Sequence, residues 1–192
     1  MRLEFKDWKN PLLMLSKENN TLFMTNYSSQ SQIGIEDFKF VLWIAYGLAT
    51  IQTKTIAIHA STVVYQNKAV LFLGESGTGK STHVRLWQNI IKDVFILNDD
   101  SPIIRVENDI PIVYGSVWSG KTAFYVNNRY PIAAIVRIKQ ASRNAIRTLT
   151  TLESLAALYP SCPPMFAYDK HLADNIIESL SIIIHKTPVF ML

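Results

Sequence analysis

Val70-Leu71-Phe72-Leu73-Gly74-Glu75-Ser76-Gly77-Thr78-Gly79-Lys80-Ser81 is the stretch on which the fold turns. An apolar, β-rich run enters a glycine-rich loop. A helical pattern follows from about Ser81 to Ile91, with Val84, Trp87 and Ile91 sharing one face. Gly74 to Ser81 matches the pattern G-x-x-x-x-G-K-[ST]. Glycines permit the positive φ angles that turn backbone N–H groups toward one point. Those groups, with the N-terminus of the next helix, form a nest for a polyphosphate. In such a loop Lys80 sets an ammonium against the β and γ phosphates, and the Ser81 hydroxyl is placed to ligate Mg²⁺. The candidate nucleotide or pyrophosphate site is therefore Gly74, Glu75, Ser76, Gly77, Thr78, Gly79, Lys80 and Ser81.

Upstream, Ile56 to Tyr65 and Ala69 to Leu73 are β-rich runs separated by Gln66-Asn67-Lys68, which reads as a hairpin. Downstream, Val94 to Leu97 reads as a buried strand ending in Asn98-Asp99-Asp100. Carboxylates at the end of a neighbouring strand can reach a metal on the phosphates, directly or through water. One of two adjacent acids can hold the metal while the other takes a proton from a hydroxyl nucleophile. Further strands are expected around 103–106, 112–114 and 132–138. A helix opens on the capping box Thr150-x-x-Glu153 and ends before Pro160. A last helix, from about Lys170 to His185, turns Leu172, Ile176, Ile177, Leu180 and Ile184 inward, and an apolar strand, 189–192, follows. Residues 1–34 suggest a small strand meander with turns at Asn19-Asn20 and Ser28-Ser29. The pattern from Ile35 to Ala49 predicts a helix burying Phe38, Val41, Leu42, Ala45 and Tyr46. The class is α/β with mixed strand directions: an N-terminal lobe, 1–54, packed on a core, 55–192, in one compact domain.

The chain has 192 residues, 48% of them hydrophobic and 18% charged, which excludes a disordered or collagen-like polymer. Its single cysteine, Cys162, excludes an internal disulfide framework and fits a reducing compartment. The first residues lack a signal-peptide core, and the apolar run from Phe40 to Ile51 is too short to cross a bilayer. A soluble, cytoplasmic protein with no membrane partner is expected. The net charge of +4 does not argue for nucleic acid, and aromatic RNA-binding signatures are missing. Between Asp109 and Glu153 all charges are basic: Lys121, Arg129, Arg137, Lys139, Arg143 and Arg147. That stretch is either a solvated face or a surface facing phosphates or an acidic partner. Lys121 and Arg143 are expected to face the phosphate site, with Arg129 and Arg147 solvated or partner-facing. His83, His171 and His185 lack ligand spacing, and Cys162 lacks a base partner.

Taken together, Ile58-His59-Ala60-Ser61, the hairpin entering Gly74, the loop to Ser81 and Asn98-Asp99-Asp100 resemble the catalytic domain of HPr kinase/phosphorylase. The resemblance implies a mixed-sheet phosphate-loop fold, shared with ATP-dependent phosphoenolpyruvate carboxykinase, and covers about residues 55–110 well. It implies that Asp99 is the acid–base residue, that Asp100 is a metal-linked acid beside Ser81, and that His59 lies against the catalytic aspartate. The chain is expected to lack that family's separate N-terminal domain, and it departs from the family in having no Arg-Gly signature. In that place stands Tyr114-Gly115-Ser116-Val117-Trp118-Ser119-Gly120-Lys121-Thr122, which looks like a segment of shorter HPr-kinase-like proteins. There Ser119 and Lys121 can offer a hydroxyl and a cation to a phosphate. What the resemblance implies is an ATP- and Mg²⁺-dependent phosphotransferase with catalytic Asp99, His59 and Lys80. Its acceptor would be a serine-type hydroxyl in a protein, a peptide or a small molecule. The loop by itself leaves open another nucleotide or pyrophosphate as donor, and the reverse phosphorolysis. The parent family assembles, which leaves a homo-oligomer open. The alternative is a nucleotide-binding regulatory or accessory module without turnover.

Overall fold

The computed structural model describes residues 2–3, 13–18, 21–25, 35–119 and 124–192. It divides into two compact units, Met1–Thr50 and Ile51–Leu192. In the first, β1 (Arg2–Leu3), β2 (Leu13–Glu18) and β3 (Thr21–Thr25) form an antiparallel sheet in chain order. The expected turns at Asn19-Asn20 and Ser28-Ser29 lie outside the described residues. Helix α1 (Ile35–Thr50) follows; it buries Val41, Ile44 and Ala45 but leaves Phe38 and Tyr46 exposed, so the inward face is shifted from the one expected.

The second unit is a curled mixed sheet with helices packed on it. Its strands are β4 (Thr55–Ala57), β5 (Ala60–Tyr65), β6 (Lys68–Leu73), β7 (Phe95–Asp100), β8 (Ile103–Glu107), β9 (Ile110–Tyr114), β10 (Arg129–Arg137), β11 (Arg147–Thr148) and β12 (Val189–Met191). The order is β4-β8-β9-β10-β6-β5-β7, with β12 paired to β10 and β11. Strand β10 joins two sections. Its first residues pair antiparallel with β9, whereas its last run parallel to β6 and β12. The register slips between Ile132 and Ala134, beside Pro131, which has no N–H to give a ladder.

Local chemistry accounts for the two tight hairpins. Gln66-Asn67 joins β5 to β6 and Asn108-Asp109 joins β8 to β9, all four residues with positive φ, as a two-residue type I′ turn demands. The single run expected at 56–65 is in fact two strands in different parts of the sheet. At the break, Ile58 N–H donates to the Pro102 carbonyl (3.1 Å) and His59 N–H to that of Ser161 (2.7 Å), so the backbone leaves one ladder before entering the next.

Helix α2 (Lys80–Ile90) packs on β5, β6 and β7. Beneath it Val63, Phe72, Val84, Val94, Ile96 and Val136 form an apolar cluster, with Trp87 and Ile91 against it. Helix α3 (Thr151–Leu158) starts from the expected capping box, with both halves made. Helix α4 (Lys170–Lys186) packs on α3, β4, β8 and β9 and buries Ile176, Leu180 and Ile183. Ile177, expected inward, is exposed, because Ile176, Leu180 and Ile183 occupy the packed stripe. Among the described residues no helix is long and apolar enough to cross a membrane.

Candidate functional site

The Gly74–Ser81 loop leaves β6 and enters α2 with no side chain capping the helix. Gly79 occupies the cap position in the left-handed region (φ 98°) and Gly77 has φ 82°, conformations that side chains resist. Thr78 closes the turn, its N–H (3.2 Å) and hydroxyl (2.9 Å) both donating to the Glu75 carbonyl. Gly74 is needed for space: a Cβ there would stand 2.5 Å from Thr78 Oγ1. Lys80 is buried, and its Nζ donates to the carbonyls of Gly74 (2.8 Å) and Glu75 (3.1 Å). Burial pulls its pKa below the ordinary lysine value, against the opposing pull of Asp100, Asp99 and Glu75. The uncapped helix start and the ammonium together put positive charge at the end of β6.

The two acids are part of β7 and do not follow it. They reach the loop across an intervening strand, since β5 lies between β6 and β7 and is antiparallel to both. Register sets Ala60 between Leu73 and Asp100, and Ser61 between Phe72 and Asp99. A bulge on β7, where Thr62 faces Asn98 and Val63 faces Ile96, re-aims the acidic end of the strand. Asp99 Oδ1 accepts hydrogen bonds from Ser81 Oγ (3.0 Å) and Ser61 Oγ (2.5 Å). His59 Nε2 lies 3.4 Å from Asp100 Oδ1. Asp100 has φ 137°, a strained backbone of the kind that collects at functional sites.

These contacts correct the expected pairing. Ser81 meets Asp99 rather than Asp100, and His59 meets Asp100 rather than Asp99. Consecutive strand residues point to opposite faces. Asp99 shares the α2 side with Ser61 and Ser81, which sends Asp100 to the side where His59 leads into β5. Ser81 and Asp99 offer hard oxygen donors that suit Mg²⁺. Among the described residues no group of three or more His, Cys, Asp or Glu could hold a metal. The remaining ligands would be phosphate and water oxygens, the usual arrangement for Mg²⁺ on a bound nucleotide.

Asn98, fully buried, ties the neighbouring segment to β7. Its Nδ2 donates to the Ser116 carbonyl (2.8 Å), its Oδ1 accepts from Ser101 N–H (3.1 Å), and Ser116 Oγ donates to the Ser101 carbonyl (2.6 Å). Gly115 passes so close to Val126 that a Cβ would be 2.0 Å from its carbonyl oxygen. Single bridges then set Ser119 against Asp100 and Tyr125 against Asn98. Ser119 therefore joins the acidic end of β7. Gly120, Lys121 and Thr122 lie outside the described residues.

Among the described residues, a cation that meets the loop from outside it is Arg137, which the sequence did not single out. It pairs with Leu73 across β10 and β6, and its Nη2 donates to Glu75 Oε1 (2.5 Å) while Nη1 donates to the Ala157 carbonyl (2.8 Å). Glu75, Thr78, Arg137, Ile138, Lys139 and Met191 line a cleft of about 510 Å³ beside the loop. Arg143 sits instead in the exposed segment 141–148. Arg129 is bound to Glu107 (3.0 Å) and Tyr114 (2.9 Å), and Arg147 to Glu153 (2.9 Å), so both close surface ion pairs within the chain. Ser61 was also missed; its signal is a polar residue at an inward position of an apolar strand.

Other candidates are packing groups. His83 stands edge-on to Phe72 (4.7 Å), accepts from Trp87 Nε1 (3.2 Å), and has its pKa lowered by burial. The Cys162 thiol is buried and pushed up to about 12, which makes it unreactive. His171 and His185 are exposed.

No protein-family model and no curated protein matches this sequence. Among solved structures, the chain is similar to the Hpr(Ser) kinase/phosphatase from Coxiella burnetii. The two share 18% identity, over 48% of this chain and 70% of that one, with a TM-score of 0.38.

Proposed function

We propose that the chain is a phosphotransferase that uses ATP with Mg²⁺ and acts on a serine-type hydroxyl in a protein, peptide or small molecule. The reading rests on one convergence: a cationic glycine loop, the Ser81–Asp99 pair and the His59–Asp100 pair all meet at one end of the β6-β5-β7 sheet. The loop N–H groups and Lys80 bind the phosphates and neutralise the charge that grows on them during transfer. The cleft beside Glu75 and Arg137 takes the nucleoside end. Ser81 and Asp99 would hold the Mg²⁺, which adds charge neutralisation on the phosphates.

The His59–Asp100 pair is the one open to an acceptor, with side chains 42% and 46% exposed. Asp100 takes the acceptor O–H proton as the oxygen bonds to the γ-phosphorus. The bond from that phosphorus to the β–γ bridging oxygen breaks, and its electron pair leaves with the nucleoside diphosphate. His59 orients the carboxylate, and Ser119 lines the approach.

The test is mass spectrometry of serine-containing acceptors incubated with the protein, ATP and Mg²⁺, alongside thermal denaturation. Ligand at 100 times its Kd should stabilise the wild type by about 2.7 kcal/mol. Lys80→Ala should lose most of that gain. Asp100→Asn should cut turnover by about a hundredfold or more with nucleotide affinity nearly kept, and Asp99→Asn should raise the Mg²⁺ requirement. The opposite pattern would return the base role to Asp99. Stabilisation without transfer to any acceptor would leave a nucleotide-binding module.

A further inference from the structure

We infer that Ser61 is a positioning residue for the metal-side carboxylate, an inference that rests on the phosphotransferase reading. Ser61 and Val63 alternate on the α2 side of β5, and Val63 belongs to the apolar cluster with Phe72, Val84 and Ile96. Ser61 is 0% exposed and stands opposite Phe72 on one neighbour and Asp99 on the other. A hydrophobic side chain is what strand alternation and burial favour there. A buried hydroxyl costs free energy unless it is bonded. This one is bonded, at 2.5 Å, to Asp99 Oδ1, within the range of charge-assisted O–H···O⁻ bonds.

The same oxygen accepts from Ser81 at 3.0 Å. Two hydroxyl protons on one carboxylate oxygen, one from β5 and one from α2, fix the rotation of the carboxylate about its Cβ–Cγ bond. With its proton directed to Asp99, Ser81 turns its lone pairs away from that acid, as a ligand to a cation must. Ser61 acts through Asp99, to which its hydroxyl is bonded. Its part is to keep Asp99 and Ser81 in one geometry before a ligand arrives. Removing a partner of a metal-binding group typically costs 10–100-fold in metal affinity.

The experiment is a Mg²⁺ titration at fixed ADP, read as thermal stabilisation and checked by calorimetry, on the wild type, Ser61→Ala, Ser61→Thr, Asp99→Asn and the Ser61→Ala/Asp99→Asn double variant. Ser61→Ala should raise the half-saturating Mg²⁺ concentration about tenfold or more, whatever it does to the melting temperature without ligand. Ser61→Thr keeps the hydroxyl and should restore most of the loss. In the Asp99→Asn background the serine change should add nothing. Where the extra methyl of threonine prevents folding, that last comparison decides. A wild-type Mg²⁺ response that Ser61→Ala leaves unchanged overturns the inference alone, as does an equal, additive effect in the double variant. A wild type with no Mg²⁺-dependent stabilisation overturns the phosphotransferase reading and this inference with it.

Discussion

Lys80 stands at a buried position with its ammonium on two loop carbonyls, so it supports the loop in addition to the phosphate-binding part proposed for it. Lys80→Ala is therefore judged by the stabilisation a ligand adds rather than by the melting temperature alone. Arg137 and Arg143 separate in the same way. Arg137 holds Glu75, whereas Arg143 lies in an exposed segment. Arg137→Ala should lower the stabilisation by Mg²⁺-ATP, and Arg143→Ala should leave it unchanged; equal effects would detach the cleft from the donor. Cys162 gives a second check at this scale. A thiol pushed up to about 12 carries almost no thiolate at pH 8, and burial bars a reagent from it. Its labelling by a thiol reagent should therefore run at the rate of unfolding, and fast labelling of the native chain would contradict that burial.

Helix α2 carries both the start of the site and a pH-sensitive packing group. Burial lowers the pKa of His83 below its ordinary 6.5, and its neutral Nε2 accepts from Trp87. As pH falls through 6.5 the unfolded chain takes up a proton that the folded chain resists, so stability rises with pH across that window and is lost below it. Thermal melting should fall between pH 7 and 5.5, and His83→Gln should remove that component of the fall. If the two chains showed identical pH profiles, His83 would not be its source. Helix α3 depends on a local device, the reciprocal bonds of Thr150 and Glu153. Thr150→Ala should cost about 1 kcal/mol in denaturant unfolding. The Glu153 pKa is lowered chiefly by the Thr150 bonds, with Arg147 adding to them. Its contribution is therefore present above about 4.5 and is lost as pH falls through the depressed value.

At the scale of the whole molecule, the described site residues all fall within Ile51–Leu192. A chain beginning at Ile51 should therefore keep Mg²⁺-dependent polyphosphate binding, measured by calorimetry; loss of binding in a chain that still folds would assign part of the site to residues 1–50. The sequence alone determined the features whose causes are local. The Gly74–Ser81 turn follows from glycines placed where φ must be positive, the hairpin from a short polar break between β runs, and the α3 start from four consecutive residues. Tertiary structure decided what depends on partners distant in the chain. The break at Ile58-His59 exists because the sheet curls and each half supplies its own ladder. Arg137 reaches the loop because β10 runs parallel to β6, a pairing that no local pattern announces. The exchange of partners between Asp99 and Asp100 follows from the order β6-β5-β7, which brings Ser61 and Ser81 to Asp99 and His59 to Asp100. Adjacent acids are equivalent along a sequence, and it is the alternation of a strand within a packed sheet that makes them different.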